Sequence, residues 1–329
     1  MMFDRAANKI LFVFSDPGGA KPILAYISTN DICNYKIISD RTYDFYADFG
    51  LEVEEYILGS EKQIITEFQP DCVFTATSYT SKIELKFLAQ AKRLGIQTCS
   101  FIDHYTNFKD RFKLSGDFIY PQNIFVIDQR AYEIAKSEHL TNYSNVEISG
   151  HYYHEYLRNW KPSINRNELM SHNKITDNTL LLTYAAEPLS NVGGKIRFGF
   201  DETDVWDHLT NALSDIAITV DYKLIVKLHP NQNTEYLINH IEGGDFNNFV
   251  YSENTHTNSL IYYSNIIIGI CSSFLIEASM FNKLILRHLP TSGMSDSLVG
   301  MGIGKVSTTT TQLGINLKEA LDEICSNYE

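Results

Sequence analysis

The chain contains 329 residues, of which 44% are hydrophobic and 20% are charged. These proportions are typical of a globular protein and exclude a largely disordered chain. The formal net charge is −13 at pH 7, so a nucleic acid is not the expected partner, because phosphate backbones are bound by basic surfaces. Since 329 residues exceed one ordinary hydrophobic core, we expect two domains.

The first half of the chain alternates apolar, strand-like runs with segments of helical spacing. A first strand is predicted at residues 10–14, followed by the glycine-containing turn 15–19 and a helix at 20–28. Further strands are predicted at 35–38, 71–75, 98–102, 123–127 and 146–148, and further helices at 61–68 and 79–94. This alternation predicts a mostly parallel, doubly wound sheet.

The polar segment 160–178 interrupts this alternation, and a second series of elements follows it. Strands are predicted at 179–184, 224–226, 248–251, 266–270 and 284–287, and helices at 204–217 and 274–281. We therefore predict an α/β protein with two Rossmann-like, doubly wound domains that face each other across a cleft. The N-terminal domain is predicted at 1–160, a linker at 161–178 and the C-terminal domain at 179–329.

The cysteines and the N-terminal residues are used to predict the cellular compartment of the protein. The chain has five cysteines and no Cys-x-x-Cys pair, which is typical of reduced thiols in the cytoplasm. Residues 1–5 lead directly into a strand-like run, so no secretory signal is expected. Polar residues interrupt the apolar stretch 260–281, which favours a strand followed by a helix over a membrane span. We expect a cytoplasmic protein, and peripheral contact with the inner face of a membrane stays open.

Two short motifs follow predicted strands in the second half of the chain. One is Lys227-Leu228-His229-Pro230, and the other is Cys271-Ser272-Ser273. The carboxyl ends of parallel strands and the N-termini of the helices that follow gather at one sheet edge, where backbone N–H groups bind anions. A lysine, a histidine and two hydroxyl groups at such an edge suit a phosphorylated or nucleotide ligand.

These motifs, together with the two Rossmann-like halves, resemble the glycosyltransferases of the GT-B fold. The likeness is to bacterial sialyl-, polysialyl- and Kdo-transferases with His-Pro and Ser-Ser motifs, and the polyol-phosphate transferases of teichoic-acid synthesis are similar. The resemblance implies that His229, Pro230, Ser272 and Ser273 contact the nucleotide and its phosphate. It also implies that Glu277 binds a ribose or sugar hydroxyl, although a solvated helix residue is an equal alternative.

Further donor contacts are expected from the loop after the first strand of the second domain and from Lys227. The loop contains Gly193, Gly194 and Lys195, which suit a diphosphate, although the loop could instead be a flexible lid. Lys227 and His229 lie two residues apart, so their side chains leave the same face of an extended strand. Preorganised donors at this position would stabilise the charge that develops on a departing phosphate.

The first domain offers candidates for the acceptor side and for a catalytic base. Asp16, with Gly18 and Gly19, lies in the turn after the first strand, where the GT-B resemblance places the acceptor. Asp16 is a candidate general base, or alternatively the N-cap of the next helix. Asp103 and His104 follow a strand at 98–102 and form a second candidate pair.

Two cations follow this pair along the chain. Lys109 and Arg111 could hold an anionic group of the donor or acceptor. The residues alone do not decide between Asp16 and Asp103 as the base.

The favoured interpretation is a metal-independent glycosyltransferase with no cofactor. It would move a sugar from a nucleotide- or diphosphate-activated donor, favoured as a CMP-activated acidic sugar, to a glycan or lipid-linked glycan of a bacterial surface polysaccharide such as capsule or lipopolysaccharide. Neither a His-Glu-x-x-His motif nor an Asp-x-Asp motif is present, so no metal is expected. The alternatives are a sugar-nucleotide 2-epimerase, a polyol-phosphate or phosphoribosyl transferase, and a non-catalytic sugar-nucleotide-binding protein.

Overall fold

A computed structural model describes residues 9–176, 179–216, 221–229, 234–252, 256–291, 294 and 296–326. The chain divides into two compact units, Met1–Asn159 and Trp160–Glu329. Within the described ranges, no helix is both long enough and apolar enough to cross a membrane.

The first unit is built on a parallel sheet. Its strands are β1 (Ile10–Phe14), β2 (Tyr35–Ser39), β3 (Glu54–Glu55), β4 (Cys72–Thr75), β5 (Gln97–Ile102), the hairpin pair β6 (Lys113–Leu114) and β7 (Asp117–Phe118), β8 (Asn123–Val126) and β9 (Asn145–Ile148). Seven of them form one sheet in the order β3-β2-β1-β4-β5-β8-β9. Its helices are α1 (Pro17–Thr29), α2 (Glu61–Phe68), α3 (Ile83–Arg93), α4 (Gln129–Ser137) and α5 (Tyr152–Asn159).

The central strand β1 shows why this sheet is covered on both faces. All five of its side chains are apolar and buried, as expected of a strand inside a parallel sheet. Phe12 packs in one core cluster with Ile23 of α1. Leu11 packs in another cluster with Phe87 of α3. Since successive side chains of a strand point to opposite faces, helices cover both sides and the unit is doubly wound, as predicted.

The second unit repeats this plan. Its strands are β10 (Leu180–Ala185), β11 (Tyr222–Lys227), β12 (Phe249–Tyr251), β13 (Ile266–Gly269), β14 (Leu284–His288) and β15 (Lys305–Ser307). Six parallel strands lie in the order β12-β11-β10-β13-β14-β15. Its helices are α6 (Arg166–His172), α7 (Gly194–Phe198), α8 (Glu202–Asp215), α9 (Thr234–Glu242), α10 (Thr257–Tyr263), α11 (Ser273–Met280) and α12 (Thr310–Ser326).

Helix α6 lies inside the segment 161–178 that was predicted as a linker. Asn165 and Glu168 form a capping box that begins the helix. Leu169 and Met170 are fully buried and pack against Leu181 of β10. The segment has no long apolar period because the helix is only seven residues long and buries one face.

The first strand of each unit lies at a reversal of strand order. β1 pairs with β2 on one side and with β4 on the other. β10 pairs in the same way with β11 and β13. Ligands of open α/β sheets bind beyond the carboxyl ends of strands at such a switch point. The loops after β1, β4, β10 and β13 are therefore the first places to look for a site.

The start of α1 packs tightly against the loop after β4. The helix begins at Pro17, so Gly18 and Gly19 belong to its first turn, although the sequence analysis placed them in a loop. A Cβ atom on Gly19 would lie 2.4 Å from the Cβ of Ala76. Only glycine therefore allows this approach of the helix to the loop.

Replacing Gly19 with alanine should destabilise the protein, because the new methyl group overlaps Ala76. We expect Gly19→Ala to lower the free energy of unfolding by about 1–3 kcal/mol, measured by urea denaturation. Gly314→Ala in α12 is the matched control, since its Cβ would meet its nearest neighbour, the Cβ of Ala212, at 3.9 Å. The control should stabilise the helix by about 0.5–1 kcal/mol. Equal effects of the two changes would contradict this packing.

Candidate functional site

The carboxylate of Asp16 joins three loops at the switch point of the first unit. Its Oδ2 atom accepts hydrogen bonds from the backbone N–H groups of Tyr79 at 3.0 Å and Thr80 at 3.3 Å. Its Oδ1 atom accepts from the Thr80 hydroxyl at 2.6 Å and from Arg41 Nη1 at 2.8 Å. The Asp16 side chain makes no helix-capping bond of its own. Its two oxygens thus accept four hydrogen bonds within the chain, which favours a structural role over that of a general base.

A buried glutamate, Glu84, is linked to the backbone of Asp16 through Ser78. Glu84 in the first turn of α3 is 2% exposed and accepts a hydrogen bond from the Ser78 hydroxyl. The Ser78 oxygen in turn accepts from the backbone N–H of Asp16 at 2.9 Å. Burial raises the pKa of Glu84 to about 7, so this carboxyl titrates near neutral pH. Glu84, Ser78 and Arg41 were not predicted as site residues, because each is an ordinary residue of a predicted helix or loop.

Asp103 lies at the end of β5, against the first turn of α1. A Cβ atom on Gly18 would lie 2.5 Å from Asp103 Oδ2, so a larger residue here would displace the Asp103 carboxyl. Arg111 Nη1 is 3.7 Å from Asp103 Oδ1. Burial raises the pKa of Asp103 and outweighs the nearby Arg111 cation, which lowers it. Asp103 is therefore a partly exposed carboxyl group with a perturbed pKa at a strand end, as expected of a catalytic acid or base.

The other polar residues near Asp103 have separate partners. Arg111 donates to the backbone oxygens of Thr77 at 2.5 Å and Thr106 at 3.2 Å, so it joins two loops. His104 is exposed, and its Nδ1 lies 3.0 Å from the Thr106 hydroxyl. The Lys109 ammonium lies 5.1 Å from the centre of the Phe118 ring, on the β6–β7 hairpin. Asp103, Arg111 and the exposed His104 come together, whereas Lys109 contacts a different surface feature.

The second unit holds a carboxylate at its own switch point. Glu187 Oε1, after β10, accepts from the backbone N–H groups of Ile270 at 2.9 Å, Cys271 at 2.7 Å and Ser272 at 3.0 Å. We call these three N–H groups the 270–272 nest. Glu187 is only 7% exposed. Burial raises its pKa, and the three hydrogen bonds act in the opposite direction because they favour the ionised form.

The contacts of the nest correct one sequence expectation about the start of α11. The backbone N–H of Ser272 was expected to bind the donor phosphate, but it donates to Glu187. The Ser272 hydroxyl is buried and has no hydrogen-bond partner among the described residues. Ser273 begins α11 and is exposed. The exposed Ser273 side chain, rather than the nest, is the donor of this turn that a ligand could reach.

Basic residues lie at the end of the neighbouring strand β11. Lys227 Nζ is 5.8 Å from the centre of the Phe274 ring in α11, so the two motifs recognised in the sequence lie close together. Burial, followed by the nearby Lys227 cation, lowers the pKa of His229 and favours a neutral imidazole at pH 7. Glu277 is 9% exposed and is thus a buried residue rather than a solvated one. Pro230 lies outside the described residues.

The predicted diphosphate loop is a compact turn followed by a short helix. Gly193 has a φ of +111°, which only glycine adopts readily, and it ends the turn Leu189–Val192. Gly194 begins α7. Lys195 Nζ lies 2.9 Å from Asp204 Oδ1 in α8, so its cation is already paired. The described ranges contain no group of three or more histidine, cysteine or acidic residues that could hold a metal ion.

Comparison with solved structures shows a GT-B-like fold. A putative UDP-N-acetylglucosamine 2-epimerase from Listeria monocytogenes matches with a TM-score of 0.71 and 11% identity, over 96% of this chain and 88% of that one. The UDP-GlcNAc 2-epimerase from Neisseria meningitidis bound to UDP-GlcNAc matches with a TM-score of 0.61 and 14% identity, over 96% and 93%. The glycotransferase of kitacinnamycin matches with a TM-score of 0.56 and 11% identity, over 98% and 91%. No family model and no curated protein matches the sequence.

These neighbours correct the favoured sequence prediction. A glycosyltransferase that uses a CMP-activated acidic sugar was expected, but several of the similar structures are UDP-GlcNAc 2-epimerases. That prediction was wrong, and the alternative of a sugar-nucleotide 2-epimerase is the better supported one. The prediction of two Rossmann-like domains of the GT-B type is confirmed at the level of the fold. The finer resemblance to sialyl- and Kdo-transferases is not shown by these structures.

The raised pKa of Glu84 predicts a specific dependence of stability on pH. Because its folded pKa is about 7 and its ordinary value is 4.5, the folded state holds this proton more tightly. Stability should therefore fall between pH 4.5 and 7 as this carboxyl ionises. Glu84→Gln cannot ionise and still offers Ser78 an acceptor, so its stability relative to the original protein should rise over that range.

The measurement is chemical denaturation of both proteins at pH 5, 6 and 7. Glu67→Gln is the control, since Glu67 is an exposed glutamate of α2 and should show no such trend. A constant difference between Glu84→Gln and the original protein across these pH values would contradict the assignment.

Proposed function

We propose that the chain is a sugar-nucleotide 2-epimerase whose substrate is a UDP-N-acetylhexosamine. The observation that carries the proposal is Asp103, a partly exposed carboxyl whose pKa is raised by burial at the end of β5. Such a group can accept and return a proton. The likeness to UDP-GlcNAc 2-epimerases along nearly the whole chain supplies the reaction class.

Epimerisation at C2 of a sugar is an isomerisation that needs no acceptor and no external oxidant. The C2–H bond breaks and its electron pair forms a C1=C2 double bond as the C1–O bond to UDP breaks. UDP then returns to C1 while a proton returns to C2 from the opposite face of the ring. We assign one of these proton transfers to Asp103, with Arg111 stabilising its ionised form from 3.7 Å. His104, exposed and next in the chain, is the candidate for the other transfer. Asp16 supports the loops, because its oxygens already accept four hydrogen bonds.

The nucleotide is assigned to the second unit. Support comes from the carboxyl ends of β11 and β13, where Lys227, His229 and Ser273 collect near the switch point. A neutral His229 can both donate and accept a hydrogen bond, which suits a ribose or a base edge. Lys227 is the cation best placed to meet a phosphate, and Glu277 is a candidate partner for a hydroxyl group.

The proposal predicts turnover of UDP-GlcNAc without any acceptor. Incubation with UDP-GlcNAc in D₂O should give UDP-ManNAc with deuterium at C2, as measured by proton NMR. Asp103→Asn should reduce the rate by about 100-fold or more, because it removes an acid–base group, while UDP binding is retained. Asp117→Asn on the exposed β7 strand is the control and should leave turnover unchanged. Absence of both isomer and deuterium, or full activity of Asp103→Asn, would sink the proposal.

Lys227→Ala should weaken UDP binding, and the loss should shrink as salt is added because the contact is electrostatic. We expect a loss of about tenfold at low ionic strength, measured by calorimetric titration. Lys223→Ala is the matched control on the same strand, since Lys223 Nζ already donates to the Asn248 side chain at 3.3 Å. Equal losses for both variants would place the nucleotide phosphates elsewhere.

A further inference from the structure

The 270–272 nest is an anion site that the chain occupies with its own carboxylate. Three successive N–H groups converge on the single oxygen Oε1 of Glu187, at distances between 2.7 and 3.0 Å. Three successive backbone donors ahead of a helix are the arrangement that holds phosphate in many nucleotide-binding folds. Glu187 lies 83 to 85 residues before these donors in the sequence, so the contact is a tertiary one.

The energetics oppose replacement of this carboxylate by a phosphate. Each hydrogen bond from the nest is charge-assisted, and such bonds are stronger than neutral ones. A phosphate would need to break all three and leave Glu187, at 7% exposure, buried with only the weak Cys271 thiol donor, 3.6 Å from its Oε2. The negative charge of Glu187 would also repel a phosphate nearby, because screening by water is weak at a buried site.

The turn that carries the nest is held in shape by other contacts as well. The Ile270 carbonyl accepts from Arg287 Nε at 3.0 Å. The Cys271 carbonyl accepts from the Ser297 hydroxyl at 3.0 Å. Arg287 is 2% exposed and is itself paired with Asp296. The N–H groups should therefore stay in place when the Glu187 side chain is shortened.

We propose that Glu187 is a specificity-determining residue that keeps phosphate groups out of the 270–272 nest. A nucleotide bound by the second unit is then recognised through its nucleoside and through side chains such as Lys227, and not through the N–H groups of the 270–272 nest. A ligand that is only a phosphate or a diphosphate finds no built site there. The statement about nucleotides rests on the proposed function, whereas the statement about the nest does not.

The test is calorimetric titration of the full chain with inorganic pyrophosphate and, separately, with UDP. The proteins are the original chain, Glu187→Ala, Glu187→Gln and the control Glu202→Gln. Glu202 is a second buried glutamate of this unit, and its carboxylate accepts from the Ser190 N–H at 2.9 Å. Thermal melts check that each variant is folded.

Removal of the carboxylate should create affinity for pyrophosphate. We expect Glu187→Ala to bind it about tenfold more tightly than the original chain, or better, because the N–H groups become available. Glu187→Gln should gain about threefold, since the charge is lost while an amide oxygen still occupies the nest. Glu202→Gln should bind like the original chain.

Several outcomes would overturn the inference. They are pyrophosphate binding by the original chain as tight as that of Glu187→Ala, no gain in either folded Glu187 variant, and no detectable binding by any of the proteins. If Glu187→Ala does not fold, the Glu187→Gln result decides. A gain in pyrophosphate affinity in a chain that turns over no UDP-GlcNAc would support this inference while contradicting the proposed function.

Discussion

In each unit, one hydrogen-bonded carboxylate joins the loops at the point where the strand order reverses. Asp16 follows β1 and accepts backbone N–H groups from the loop after β4. Glu187 follows β10 and accepts backbone N–H groups from the loop after β13. In both cases the carboxylate follows the first strand of the unit, and the donors follow the strand that pairs with it at the switch point. The shape of both strand-end regions depends on these two interactions.

These contacts limit which groups are available for chemistry. The anion-binding geometry expected at a switch point is present, but the donors are used within the chain. The proposed nucleotide site therefore uses side chains around these contacts, which are Lys227, His229 and Ser273 in the second unit. In the first unit, Asp103 is the carboxyl with a raised pKa that lies partly exposed beside the start of α1. The proposed division of nucleotide binding and proton transfer follows from this distribution.

Much of the fold could be predicted from the sequence because the central strands are short, wholly apolar runs. Residues 10–14 and 266–270 were recognised in this way, and their parallel pairing follows from the alternation of strands and helices. The proximity of the two sequence motifs also followed from the strand ends, since Lys227 lies near Phe274 as the shared sheet edge requires. Their role in binding a ligand stays a prediction. Helix α6 was missed because its polar, seven-residue sequence buries only one face.

The hydrogen bonds that Asp16 and Glu187 accept at the two switch points could not be predicted in the same way. Asp16 is separated along the sequence by 63 and 64 residues from the two residues whose N–H groups it accepts. Glu187 is separated from its backbone donors by at least 83 residues. Local patterns do not reveal which distant N–H group a carboxylate accepts from, so the N–H groups before α11 were assigned to a ligand. Nor do motifs of two to four residues specify a nucleotide, which is why the CMP-sugar interpretation failed. Buried Glu84 resembles any glutamate in the first turn of a helix until its tertiary surroundings are known.

The most direct test of the two carboxylate contacts is native-state amide hydrogen exchange in the absence of any ligand. The contacts predict that the amides of Tyr79, Thr80, Cys271 and Ser272 exchange slowly, although they lie in loops outside the strands. Protection of the first two should be lost in Asp16→Ala, and protection of the last two in Glu187→Ala. If these amides exchange as fast as an exposed turn in the original chain, the carboxylates do not hold the switch points and the account is contradicted.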